Sequence, residues 1–205
     1  MARVIAYIDG FNLFHGLRSK YGRRYLWLDM ETMIQRLRPN DEIVTIRYFT
    51  ALVIENQAAL DLQQNHLDAL KAHSGEKMDI VLGRYQRASV VCEGCGHQRV
   101  KYEEKETDVN IAVSLVADTA ARASDIAIIV SADSDLCPAI RTARSIDLHR
   151  KLIAVFPPAR SSFEIRSLIR SAFTVAAVDL RNSLLPDAVT DPATGQTFKR
   201  PPNWC

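Results

Sequence analysis

The chain has 205 residues, a length that predicts one compact domain with a short appendage. Apolar residues make up 47% of it and charged residues 24%, a balance typical of globular proteins and unlike that of disordered chains. The formal net charge of +2 excludes a polybasic nucleic-acid binder. The sequence has no apolar run of the ~18–20 residues that cross a membrane, no signal-peptide pattern, and four cysteines without a disulfide framework. We therefore predict a cytoplasmic protein without a membrane partner.

Short β-branched runs alternate with amphipathic helical segments along the chain. The pattern predicts strands at residues 3–8, 42–50, 78–82, 126–130, 151–156 and 173–175. Helices are predicted at residues 12–20, 29–37, 55–73, 107–121, 135–145 and 162–169. This alternation predicts an α/β fold, a doubly wound and mostly parallel sheet with helices on both faces and strand order 3-2-1-4-5. We expect a domain over residues 1–180, with an inserted β-ribbon at 84–102, and a tail over 181–205.

Acidic side chains follow two of the predicted strands directly. Asp9 ends the first strand, and Asp133 and Asp135 follow the fourth. In the expected order these strands are neighbours, and ligands of such sheets bind at the carboxyl ends of the strands where the order reverses. The helix that precedes the fourth strand begins at the same edge, and the spacing places its Asp108 on the apolar face. The sequence therefore predicts four carboxylates at one edge of the sheet.

Four carboxylates in one pocket would repel one another and raise their own pKa values. Mg²⁺ or Mn²⁺ relieves this repulsion, because these ions prefer oxygen ligands and keep water for a substrate. An open ion of this kind is suited to hydrolysis of a phosphodiester bond. Each aspartate alone is better explained as a helix cap or a first-turn acid, and only their joint position at one crevice favours a metal site.

Three motifs carry a resemblance to a known family: YIDGFN at residues 7–12, EKETDVN at 104–110 and SADSDL at 131–136. Together they resemble the NYN domain family, PIN-like proteins related to FLAP nucleases, over residues 3–175. The resemblance implies a Mg²⁺- or Mn²⁺-dependent ribonuclease that acts on RNA. The residues that it implies as catalytic and metal-binding are Asp9, Asp108, Asp133 and Asp135.

Other protein classes also place aspartates at the ends of strands. A phosphatase of the haloacid dehalogenase type needs Asp-x-Asp after the first strand, whereas here Asn12 follows Asp9 at another spacing. A receiver domain needs a lysine at the end of the fifth strand, and Lys151 lies at its start. The alternative that stays open is a protein that binds RNA in the same cleft without cleaving it.

The predicted ribbon carries two further patterns. Cys92, Cys95 and His97 form half of a zinc ribbon, so structural Zn²⁺ would need a further ligand from His66, His73 or a second subunit. The alternative is a hairpin that has thiols but no metal. A homo-oligomer also stays an open prediction, because a second subunit would supply the missing ligand. Aromatic and cationic residues lie together near Arg84 and Arg87, a combination that binds single-stranded nucleic acid. Candidate substrate-binding residues are Asn12, Lys105, Ser131, Ser134, Arg84 and Arg87.

Overall fold

The computed structural model describes residues 1–54, 56–91, 94–95 and 97–204. Its strands are β1 (Arg3–Asp9), β2 (Glu42–Thr50), β3 (Met78–Leu82), β4 (Arg84–Val91), β5 (Gln98–Lys105), β6 (Ile126–Val130), β7 (Lys151–Phe156), β8 (Ser171–Thr174), β9 (Ala188–Thr190) and β10 (Thr197–Lys199). Its helices are α1 (Gly10–Tyr21), α2 (Met30–Leu37), α3 (Gln57–Ser74), α4 (Thr107–Ala120), α5 (Cys137–Ile146), α6 (Phe163–Leu168) and α7 (Ala177–Arg181). No helix in these ranges is long and apolar enough to span a bilayer.

A six-stranded sheet forms the centre of the molecule, in the order β3-β2-β1-β6-β7-β8. Every pair of neighbouring strands in it is parallel. The predicted α/β fold with a parallel sheet and helices is therefore confirmed. The strand order reverses between β1 and β6, so a crevice opens at the carboxyl ends of these two strands.

Two hydrophobic cores lie on the two faces of this sheet, because successive side chains of β1 point to opposite faces. Val4, Ala6 and Ile8 belong to the first core, together with buried side chains of α1, α2 and α3. Ile5 and Tyr7 belong to the second, together with side chains of α4, α5 and α6. Six of the seven β1 residues are buried as a result, which explains why the strand is almost continuously apolar.

Several helix ends differ from the predicted bounds for local reasons. Asn56 accepts the Ala59 N–H through its side chain, so α3 begins at Gln57. The helix predicted from residue 135 begins at Cys137, after a 3₁₀ turn at Ser134–Leu136. The turn precedes the helix because the Asp133 side chain accepts the Asp135 N–H and Pro138 stands in the first helical turn.

The predicted ribbon region contains an antiparallel hairpin of β4 and β5, separate from the central sheet. Cys92 lies outside the described residues, so its part in the ribbon stays a prediction. The C-terminal tail packs against α3, with β9 and β10 paired and with Val189, Phe198 and Trp204 buried in the first core.

Candidate active site

A cleft of about 190 Å³ opens at the carboxyl ends of β1 and β6. Four acidic side chains line it, three of them predicted from the sequence: Asp9, Asp108, Asp133 and Glu104. The other lining residues are Phe11, Asn12, His15, Thr107 and Arg160. The fold thus brings acids from β1, the hairpin, α4 and the loop after β6 to a single edge of the sheet.

Asp9 is the most deeply buried of these acids, at 3% exposure. It caps α1, since one carboxylate oxygen accepts the Asn12 N–H at 2.9 Å, and the other accepts the Ser131 hydroxyl at 2.8 Å. Burial raises the pKa of Asp9, and the charges of Asp133 and Glu104 add to the rise against these two hydrogen bonds. Asp9 therefore caps the helix and carries a negative charge that burial and the neighbouring acids destabilise.

Gly10 permits this close packing at the start of α1. A Cβ on Gly10 would lie 2.7 Å from the carbonyl oxygen of Phe49 on β2. A larger residue would push α1 away from the sheet and move the Asp9 carboxylate with it.

The loop after β6 is held against α1 by side-chain to backbone hydrogen bonds. The Asn12 amide oxygen accepts the Ala132 N–H at 3.1 Å, and Ser131 Oγ accepts the Asp133 N–H at 3.0 Å. Asn12 and Ser131 thus orient the acids around them. Their contact with a substrate stays a prediction.

Asp108 lies in the first turn of α4 and is half buried. Burial raises the pKa of Asp108 to about 6, and the negative charges of Asp9, Asp133, Glu104 and Asp135 contribute in that order. Within the described residues, none of the four lining acids forms an ion pair with a basic side chain. The cleft therefore concentrates four negative charges that no ion pair neutralises in the described residues, and Arg160 lines it as a nearby cation.

Glu104 is an acid that sequence reasoning did not select. It lies on β5, where its carboxylate accepts the Thr107 N–H at 3.0 Å and also the Thr107 hydroxyl, at the entrance to α4. An acid three residues before a helix start was the available signal, but the preceding segment looked irregular in sequence.

His15 and Arg160 were also missed. His15 lies on α1, partly exposed, and its partial burial together with the nearby Arg160 and Arg18 guanidinium groups lowers its pKa. Arg160 follows Pro157 and Pro158 at the carboxyl end of β7. A Cβ on Gly16 would lie 2.6 Å from the Pro158 carbonyl oxygen, so α1 and this loop pack closely and place Arg160 at the cleft.

Several predicted residues lie elsewhere or have other partners. Asp135 is exposed and does not line the cleft, because the 3₁₀ turn after Asp133 carries it past the edge. Ser134, in the same turn, is also exposed. Lys105 pairs with Glu103 at 3.1 Å, so it does not neutralise Asp108.

The predicted residues of the hairpin also have other partners or lie exposed. Arg84 pairs with Glu106, and Arg87 is exposed on β4. Cys95 is a free, exposed cysteine and His97 is exposed, while Cys92 lies outside the described residues. The described part of the chain contains no group of three His, Cys, Asp or Glu side chains placed to hold a metal ion. Tetrahedral zinc at this hairpin therefore finds no support in those residues.

The chemistry of the cleft nevertheless fits a hard divalent cation. All its acidic donors are carboxylate oxygens, and the pKa values of Asp9 and Asp108 are raised, so a cation would lower the free energy of both charges. Mg²⁺ is commonly bound by one or two carboxylates, water and substrate phosphate, and so needs no cage of three protein donors. The residues present suit this mode of binding.

The chain is similar in sequence to a known protein family and to a curated protein. The model of the NYN domain family matches residues 3–177. The 6-hydroxy-3-succinoylpyridine 3-monooxygenase HspA of Pseudomonas putida is 28% identical over 179 residues, which cover 70% of this chain and 56% of that protein. The chain therefore spans about half the length of this curated relative.

A solved structure resembles the fold. It is the crystal structure of a protein of unknown function from Vibrio parahaemolyticus, with a TM-score of 0.59 and 16% sequence identity. The match covers 90% of this chain and 96% of that one. At this identity the likeness concerns the fold alone.

Proposed function

The chain belongs to the NYN domain family, and from this premise we propose that it is a divalent-metal-dependent ribonuclease that hydrolyses RNA phosphodiester bonds in the acidic cleft. Membership of the family implies a nuclease-like, RNA-related function. The observation that carries the finer proposal is the set of lining acids, Asp9, Asp108, Asp133 and Glu104, none of which has an ion-pair partner in the described chain.

One or two of Asp9, Asp108 and Asp133, together with water and a substrate phosphate, would hold Mg²⁺ or Mn²⁺. A bound ion of this kind polarises a phosphoryl oxygen and lowers the pKa of water. Asp108 lines the same cleft and is placed to accept a proton from an attacking water. Asn12 and Ser131 hold the loop after β6 against the start of α1, so the acids stay oriented while the substrate enters.

Arg160 and His15 supply the positive and neutral groups of the same cleft. Arg160 forms no ion pair in the described part of the chain, so its guanidinium group is available to a phosphate oxygen. The lowered pKa of His15 keeps its ring neutral at pH 7, and a neutral imidazole can donate a hydrogen bond to the leaving oxygen.

The direct test is a cleavage assay with labelled single-stranded RNA and DNA in Mg²⁺, Mn²⁺ or EDTA. We expect an RNA product ladder that needs the metal and that Asp9→Asn removes, because asparagine keeps the helix cap but lacks the charge. The matched control is Asp61→Asn, at an exposed position of α3 that does not line the cleft. RNA binding without metal-dependent products would instead favour the non-catalytic alternative.

A second candidate is oxidation of a small aromatic ring. The name of the Pseudomonas putida relative, a monooxygenase, suggests it, and an apolar cavity with aromatic walls adjoins the cleft. Monooxygenation consumes O₂ and a two-electron donor, whereas hydrolysis consumes neither. Oxygen uptake with NADH and a hydroxypyridine, measured beside the RNA assay, therefore separates the two candidates, and we expect no uptake above the rate without protein.

A further inference from the structure

A second cavity of about 320 Å³ lies beside the acidic cleft, between α1, α3 and the end of β2. We call it the aromatic cavity, after the ring-bearing residues among its lining: Phe11, Phe14, His15, Tyr48, His66, Tyr85 and Trp204. Leucine, methionine and valine side chains supply most of the rest. Its volume lies at the lower end of the ~300–1,000 Å³ typical of ligand pockets, which suits a single planar ring system.

The aromatic cavity and the acidic cleft share a wall. Phe11 and His15, one helical turn apart on α1, line both. Tyr85 of the hairpin meets the Phe11 ring edge-on, with 6.3 Å between ring centres and an angle of 85°. A ring held in the cavity would therefore be next to a group held in the cleft.

The Tyr48 hydroxyl is a polar group of this cavity with no protein partner in the described chain. Tyr48 is only 8% exposed, and its hydroxyl forms no hydrogen bond with any residue that the structure describes. The oxygen is not fully enclosed, so it is open to the cavity, where a ligand can bond to it in place of water. By contrast, the neighbouring Gln63 amide already bonds to Val53, Thr50 and Ala51.

Two arginines of the cavity are also without carboxylate partners. Arg18 and Arg23 line it, are exposed, and form no ion pair in the described ranges. The Arg18 guanidinium group lies 5.8 Å from the centre of the Phe14 ring, which holds the cation beside the apolar wall. A ligand with a flat ring, a polar edge and nearby negative charge matches these features.

We propose that the aromatic cavity binds one nucleobase of the RNA, adjacent to the phosphodiester that the acidic cleft receives. The inference rests on the proposed function, because it names how the same substrate is held. The base packs against the Phe11 ring and bonds to the Tyr48 hydroxyl, while Arg18 and Arg23 face the flanking phosphates. A base must leave its stack to enter, so unpaired RNA is the substrate.

The test measures binding without metal and without cleavage. The chain contains two tryptophans, and Trp204 lines the cavity, so the indole N–H signals in an NMR titration report on it. In EDTA, we expect adenosine or uridine 5′-monophosphate to shift these signals saturably. Ribose 5-phosphate, which has the charge but no ring, should bind at least about tenfold more weakly, the loss typical of a missing base–aromatic contact.

Two neighbouring positions on α3 give a matched pair of variants. Ala59→Phe fills the cavity and should weaken nucleotide binding by about tenfold or more. Ala58→Phe makes the same change at an exposed position that does not line it, and should bind as the unmodified chain does. If Ala59→Phe fails to fold, Tyr48→Phe removes only the hydroxyl and should weaken binding by about three- to tenfold.

The outcomes separate this inference from the proposed function. Equal binding of ribose 5-phosphate and the nucleotides, or equal behaviour of Ala59→Phe and Ala58→Phe, would overturn the nucleobase site even if RNA is cleaved. Tighter binding of nicotinate than of either nucleotide would overturn it too, in favour of a free aromatic acid. Nucleotide binding that Ala59→Phe weakens supports the site, and if the RNA assay then shows no products, only the proposed hydrolysis fails.

Discussion

Two groups of acidic side chains on the second face of the sheet are built in opposite ways. In the first group, Tyr7 of β1 donates its hydroxyl hydrogen to Asp118 at 2.7 Å, and Arg47 binds the same carboxylate through two nitrogens at 3.0 Å each. Two residues further along the same strand, the Asp9 carboxylate accepts hydrogen bonds from Asn12 and Ser131 and lies near the charges of Asp133 and Glu104. The difference teaches that Asp118 has a built-in cation, whereas no acid of the cleft forms an ion pair in the described part of the chain, although Arg160 lines the same cleft.

The helix α4 carries one member of each group, which makes the comparison testable on a single element. Asp108 stands in its first turn at the cleft, and Asp118 lies near its end within the paired network. The same substitution at the two positions should therefore have opposite effects on stability and on activity.

The largest expected effect is on catalysis. Asp108→Asn should lower the rate of metal-dependent RNA cleavage by about 10²- to 10⁴-fold, because it removes a group that moves a proton and one that would hold the ion. Single-turnover cleavage measures this loss. Asp118→Asn, assayed at a temperature where it is folded, should stay within about threefold of the unmodified chain, and a matching loss there would contradict the division of the two groups.

The next effect is on folding. Asp118→Asn should lower the free energy of unfolding by about 3 kcal/mol, because it leaves the half-buried Arg47 without its main counter-charge. Urea unfolding in EDTA measures it. A loss below about 0.5 kcal/mol would mean that Asp79, which Arg47 binds at 2.6 Å, is sufficient as a partner.

Acidification should lower the free energy of unfolding by a comparable amount, because the buried His66 is neutral in the folded chain. Burial lowers the pKa of His66 from 6.5 to about 4, and its ring packs against Trp27 and Trp204 while Nε2 lies 3.1 Å from the Leu28 carbonyl oxygen. Between these pH values the unfolded chain binds a proton that the folded chain does not. The contribution of His66 to stability is therefore full above pH 6.5 and falls by about 3 kcal/mol as the pH drops to 4. Protonation of Asp108 acts in the opposite direction below pH 6, so the His66 contribution is read as the difference from His66→Phe.

Tryptophan fluorescence during urea unfolding follows this loss, because both tryptophans of the chain contact the His66 ring. His66→Phe keeps a ring of similar shape and should flatten the decline between pH 6.5 and 4. An equally steep decline in that variant would assign the acid sensitivity to other groups.

The smallest expected effect has the opposite sign. The raised pKa of Asp108 means that folding disfavours its charged form, so Asp108→Asn should increase the free energy of unfolding by about 1 kcal/mol at pH 8 in EDTA. Thermal unfolding in EDTA measures this gain. A destabilised Asp108→Asn would show that its carboxylate is needed to hold the helix start.

The sequence predicts the fold and the edge of the sheet better than it predicts the members of the site. The buried run of β1 leads into Asp9, and parallel strands bring Asp133 beside it, so periodicity and topology alone locate the crevice. Asp135 shows the limit, because a single 3₁₀ turn decides whether a side chain two residues further on still reaches the cleft.

The residues that were missed depend on contacts distant in the chain. Glu104 reaches the cleft because the hairpin turns back into α4, and Arg160 because Gly16 lets α1 approach the loop after β7. The Tyr48 hydroxyl lies beside Gly10 only once β2 and α1 are packed together. None of these distances is encoded in local spacing, so pattern reading could not find them.

The most direct test of the central claim is a titration with Mn²⁺ in the absence of RNA, followed by electron paramagnetic resonance of the free ion. The account predicts saturable binding that Asp108→Asn weakens by at least about tenfold, through loss of a carboxylate ligand, and that Asp61→Asn leaves unchanged. Equal Mn²⁺ affinity in all three proteins would contradict the assignment of the unpaired acids as the metal site.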